Sequence, residues 1–122
     1  MNERKNVLKD KSFGFAVRIV RLSRYLMDSK KEFVLSKQLL RSGTAVGALV
    51  REAQNAESTQ DFIHKLGIAQ KECDETIYWL ELLIKTDYLT SKEYESMNKE
   101  ACEILKLLRS ILITSKKNKN NS

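Results

Sequence analysis

The chain has one histidine, His64, three residues after Asp61, and a carboxylate pair, Glu72 and Glu75, spaced to share a helical face. On a helical scaffold these residues raise the possibility of a di-iron carboxylate centre. Such a centre needs a glutamate from each of two helices and a Glu-x-x-His from each of the other two. With no second histidine the ligand set falls short within one chain, so no metal is expected and His64 reads as a solvated residue near a helix start. Cys73 and Cys102 are too few and too far apart for a metal pair or a disulfide framework, and read as reduced thiols among apolar neighbours. Ser42, Thr44, Ser58 and Thr76 lack a paired base, and a lone hydroxyl is a weak nucleophile; caps or small residues at helix contacts explain them more simply.

Gly43 and Gly47, four apart in RSGTAVGALVREA, do not form a phosphate-binding loop, because Ala48 follows Gly47 where GxxxxGK[ST] requires lysine and no strand precedes them. A dinucleotide fingerprint fails likewise. Each glycine costs a helix roughly 1 kcal/mol relative to alanine. Close packing of a neighbouring backbone along their shared face, with Ala45 and Ala48 keeping that surface low, would offset the cost. No enzyme activity and no cofactor are expected.

Charge points to a partner instead. The net charge is +6, distributed as +6 over residues 1–31, zero over 32–57, −3 over 58–90 and +3 over 91–122. Arg18, Arg21 and Arg24 step by three, and Lys30 and Lys31 continue the row. Guanidiniums about 5 Å apart along a helix can follow nucleic-acid phosphates. Lys116, Lys117 and Lys119 add a second basic run at the other end of the chain. In an up-down bundle the first and last helices are neighbours, so the two runs are expected to merge into one patch. A contact set of five to eight phosphates predicts a log-log salt slope of about −4 to −7 on duplex. No aromatic platform interleaves the stripe, so weak sequence selectivity is expected. An ordinary solvated face that aids solubility explains the same charges without a ligand. The acidic third segment, with Asp61, Glu72, Asp74, Glu75 and Glu81, would suit head-to-tail self-association against a basic face.

The elements that must position these residues are helices. Ser12 precedes apolar residues recurring at helical spacing from Phe13 to Met27, which predicts a first helix over about 13–29. A second pattern runs from Leu35 to Ala53, between the KKEF break and the polar QNAES. Ser58 with Asp61 resembles a capping box for a third helix, through Leu66, Cys73 and Leu80 to Ile84, and Thr90 with Glu93 is a better one for a fourth, through Met97, Ile104 and Ile111. Trp79 leans towards the core, whereas Tyr78 and Tyr88 suit core or interface. The 122-residue chain contains no proline and no strand pattern. The expected fold is all-α, an antiparallel up-down-up-down four-helix bundle over residues 12–113, with a charged segment at 1–11 and a mobile basic tail at 114–122. No stretch is apolar enough to span a bilayer, the N-terminus lacks a signal-peptide core, and a cytoplasmic location without membrane contact is expected.

The run LLRSGTAVGALVREA, a short polar turn, and then FIHKLGIAQKECDETIYWLELL resemble the bacterial four-helix bundle family associated with intervening sequences in 23S ribosomal RNA genes. The likeness covers about residues 12–113. It implies an antiparallel bundle, a homo-pentameric ring and no established enzymatic activity. The family is also similar in fold and basic character to the accessory protein of diversity-generating retroelements, a pentameric bundle that binds nucleic acid and a reverse transcriptase. Together with the basic residues, this sets the expected function as a non-catalytic, self-associating bundle that binds structured RNA or other nucleic acid. A ring that recruits a protein partner is the alternative.

Overall fold

The structure, a computed structural model, describes residues 3–121. Four helices account for nearly all of them: α1 (Glu3–Asp28), α2 (Leu35–Gln54), α3 (Thr59–Lys85) and α4 (Ser91–Asn120). Each packs against the next and α4 returns to α1, while the backbones of diagonal pairs stay apart. Contacts between neighbours run in opposite directions along every seam. Ile19 and Ser12 of α1 meet Gly43 and Gly47 of α2 in that order, and Arg41 and Glu52 of α2 reach Glu72 and Lys65 of α3. Lys11 and Arg18 of α1 likewise meet Glu103 and Glu100 of α4. The fold is therefore the antiparallel up-down-up-down bundle, and among the described residues there is no strand.

The core is one contiguous cluster built from apolar residues three and four apart, with Phe15, Ile19, Leu39, Val46, Leu66, Leu80, Ile104 and Leu108 fully enclosed. Burial of an amphipathic stripe on each helix, rather than intrinsic propensity, holds helices of this length together. The cap at α4 takes the form its sequence suggests, whereas at α3 only the serine half of the expected box forms. Ser58 accepts a hydrogen bond from the Asp61 N–H, and Thr90 and Glu93 exchange both bonds of a full capping box.

Two helices run further than their sequence patterns suggest. Helix α1 begins at Glu3, not near residue 13, and Ser12 is no cap: it is buried within the helix, its hydroxyl bonding back to the Lys9 carbonyl at 3.2 Å. The buried row is Leu8, Ser12, Phe15, Ile19, Ser23 and Leu26, so two small serines occupy core positions and hide the period from a hydrophobicity reading. Helix α4 continues to Asn120, carrying the basic run as exposed helical turns capped at Asn121. Among the described residues, no helix is long and apolar enough to cross a membrane.

Candidate nucleic-acid interface

Antiparallel packing separates the two basic runs instead of merging them. Arg4, near the start of α1, donates to Ser110 at 2.6 Å and to Thr114 at 3.3 Å, so the C-terminal turns of α4, with Lys116, Lys117 and Lys119, stand at that end. Arg24 lies twenty residues further along α1, about 30 Å at 1.5 Å per residue. The expected single patch is thus two patches at opposite ends of the bundle.

Between them the α1–α4 seam is closed by charge. Arg4, Lys11 and Arg18 recur every seven residues and reach across to α4. Lys11 Nζ lies 2.8 Å from Glu103 Oε2, and Arg18 pairs with Glu100 while donating to Ser96 Oγ at 2.8 Å. The hydrogen bond from Lys11 holds the Glu103 carboxyl below its usual range, and the same bond raises the Lys11 ammonium. Arg18, one of the arginines of the sequence stripe, is therefore engaged within the chain.

Arg21 and Arg24 are exposed, as are Lys30 and Lys31 on the connection that follows. Among the described residues, none of these four pairs with a carboxylate. The connection is shaped by Lys31, whose φ of +55° places it in the left-handed region, and by Glu32, which turns inward and is only 8% exposed. The Glu32 carboxylate accepts from the N–H groups of Val34, Leu35 and Ser36, at 3.2, 3.0 and 2.7 Å, and so caps α2 from outside the helix. Burial alone would raise its pKa, but these backbone donors and the Ser36 hydroxyl outweigh burial and hold it below the usual carboxylate range. The Glu32 N–H in turn bonds the Leu26 carbonyl at 3.0 Å, tying the connection to the last turns of α1.

With Glu32 inside, its neighbours face out. Phe33 is 51% and Val34 71% exposed, and Tyr25, beside Leu26, is 40% exposed with Lys30 Nζ 6.0 Å from its ring centroid. The expectation that no aromatic platform interleaves the basic stripe is corrected here, because Tyr25 and Phe33 are both exposed beside Arg24, Lys30 and Lys31. The missed signal is an apolar pair, Phe33 and Val34, one residue beyond two lysines and outside both helical periods.

Gly43 and Gly47 meet α1 differently. A Cβ on Gly47 would lie 3.1 Å from the Ser12 carbonyl oxygen, a backbone approach. One on Gly43 would fall within 2.7–2.9 Å of three Ile19 side-chain atoms, so that glycine is space for a buried isoleucine. Beside them a groove of about 660 Å³ opens between α1, α2 and the start of α3, lined by Phe13, Ala16, Gly47, Ala48 and Arg51 together with charges of both signs. Arg51 sits 5.8 Å over the exposed Phe13 ring.

On α3 the acidic face is partly used up: Glu72 and Glu75 both pair with Arg41, and Glu75 also accepts from the Trp79 indole, leaving Asp74 and Glu81 exposed around Tyr78. Trp79 packs against the core. Thr76 Oγ1 and Ser42 Oγ lie 3.0 Å apart in the buried α2–α3 seam. Burial pushes the Cys73 thiol up to about 12, so it is not a thiolate at neutral pH. His64 is exposed, and among the described residues no group of three or more His, Cys, Asp or Glu side chains could hold a metal ion.

A family model described as 23S rRNA-intervening sequence protein matches residues 4–110. A crystal structure of a protein of unknown function from the S23 ribosomal protein family of Bacteroides thetaiotaomicron VPI-5482 is 60% identical, with a TM-score of 0.88, covering 89% of this chain and 97% of that one. No curated protein matches the chain.

Proposed function

The chain belongs to the 23S rRNA-intervening sequence protein family, and from that premise we propose that it is a non-catalytic, self-associating bundle that binds structured RNA or other nucleic acid through phosphate contacts. The observation that carries this reading is the set of four exposed cations, Arg21, Arg24, Lys30 and Lys31, with no carboxylate partner among the described residues. Arg18 serves the α1–α4 seam and contributes little, while Lys116, Lys117 and Lys119 form a separate, distant contact. Self-association, as a homo-pentameric ring, would repeat the corner around an axis and multiply weak contacts into useful avidity.

Four phosphate contacts predict a log-log salt slope of about −3 to −4 on duplex, shallower than the stripe alone suggests. Fluorescence anisotropy of a labelled structured RNA, titrated with the protein over a series of salt concentrations, tests this. Binding that weakens along that slope supports the reading, and no binding at low salt overturns it. Sedimentation velocity tests the ring, which requires five-fold the chain mass.

One observation favours the alternative, a scaffold that recruits a protein. The groove beside Gly47 presents a 58% exposed Phe13 within a surface of mixed charge, which suits a polypeptide better than a phosphate backbone. Salt-insensitive protein binding without RNA binding would select it.

A further inference from the structure

We infer that the α1–α2 corner is a stacking platform for unpaired bases, with Tyr25 and Phe33 supplying ring faces and Arg24, Lys30 and Lys31 holding the adjoining phosphates. The inference rests on the nucleic-acid reading and narrows it to single-stranded segments. Its basis is an inversion of ordinary burial: a carboxylate is enclosed at this corner while an aromatic and a β-branched residue next to it are held in water. Three backbone donors fix Glu32, and Glu32 is bonded to Leu26, so Phe33 is presented from a rigid connection one residue away, with Tyr25 adjacent to Leu26 at the other end of that bond. A presented ring loses little conformational freedom when a base settles on it.

The charges identify the occupant. Asp28 is the one exposed carboxylate between Arg24 and Val34, against three cations in the same stretch, so the surroundings suit a polyanion. The contrasting aromatic, Tyr78, is as exposed as Phe33 but lies between Asp74 and Glu81, where phosphates would be repelled. A duplex hides its base faces, whereas unpaired nucleotides offer them to aromatic rings and add sequence-tolerant affinity to the phosphate contacts.

The test measures anisotropy of labelled oligo-uridine and of a labelled RNA duplex of equal length with the wild type, Phe33→Ala and Phe33→Trp, alongside the sedimentation of each. Phe33→Ala should weaken oligo-uridine about tenfold, leave duplex affinity in place and keep the salt slope on both. Phe33→Trp should retain oligo-uridine binding, and its added indole emission, over the Trp79 background of the wild type, should be quenched by the oligomer. Equal losses on both probes, or none on oligo-uridine, would overturn the platform and leave the phosphate reading standing. Failure of the wild type to bind either probe would remove both. A change in assembly size with Phe33→Ala would make this face a contact between copies and overturn the platform.

Discussion

Helix α1 closes the bundle twice, by opposite means. Towards α2 it meets two glycines, one giving room to the buried Ile19 side chain and the other to its own backbone at Ser12. Towards α4 it extends Arg4, Lys11 and Arg18 across a half-exposed seam to hydroxyls and carboxylates. The first seam depends on shape, in which a single added carbon atom is felt. The second depends on long side chains that adjust, in which one lost partner matters little. The difference explains why neither the glycines nor all of the arginines in the sequence should be assigned to a ligand: part of each set holds α1 in place.

The strongest way to break the contrast is to fill the tight seam. Gly43→Leu drives new atoms into the fully buried Ile19 side chain, and Gly47→Leu drives them into the α1 backbone. Each should cost about 1–3 kcal/mol or more through overpacking, read by denaturant unfolding. Unchanged midpoints would mean that the seam is loose.

Next in size is the anchor at the end of that seam. Glu32→Gln keeps the shape but replaces a charged acceptor of three N–H groups with a neutral one, and should cost about 1–2 kcal/mol at neutral pH. The folded-state pKa of Glu32 is lowered, so its contribution is present above the unfolded value of about 4.3 and is lost as pH falls through the folded one. Wild type and variant should therefore converge in stability in acid, and a constant difference down to low pH would show that the charge contributes nothing.

Gly14 sharpens the same comparison with the opposite sign. It lies on α1 facing neither seam, and an added Cβ would meet nothing within 4 Å. Gly14→Ala should stabilise by roughly 0.5–1 kcal/mol, since only the backbone entropy of the unfolded chain and helix propensity are in play. A loss of stability would reveal a neighbour on that face, such as another copy of the chain.

Much of this architecture was legible in advance, and the exceptions have physical causes. The periods from Leu35 to Ala53 and from Tyr94 to Ile111 and the Thr90–Glu93 box read directly, because each is a repeated or reciprocal pattern within a few residues. The start of α1 did not, because Ser12 stands where a hydrophobic residue would have marked the core, and small hydroxyl residues signal caps as readily as close packing. The basic residues were legible as types, but their grouping was not. Which arginine meets a glutamate on another helix depends on the register between helices α1 and α4, and no local pattern encodes it. Phe33 was missed for a related reason: its exposure follows from the inward turn of Glu32, which is set by α2's unsatisfied N–H groups and not by the apolar period.

The smallest expected effect on stability distinguishes the two kinds of arginine. Arg18→Ala removes an ion pair whose side chains are 39% and 24% exposed, and after solvent screening it should cost at most about 1 kcal/mol. On RNA, its removal should leave the salt slope unchanged, since its guanidinium already faces Glu100 and Ser96. Arg24→Ala should do the reverse, with no measurable loss of stability and a duplex slope shallower by about 0.9, the contribution of one phosphate contact. If Arg18→Ala instead flattens the slope as much as Arg24→Ala, then Arg18 leaves Glu100 for phosphate on binding. The charged seam would then be an open reserve of binding groups, and the contrast between the two sides of α1 would be one of function as well as packing.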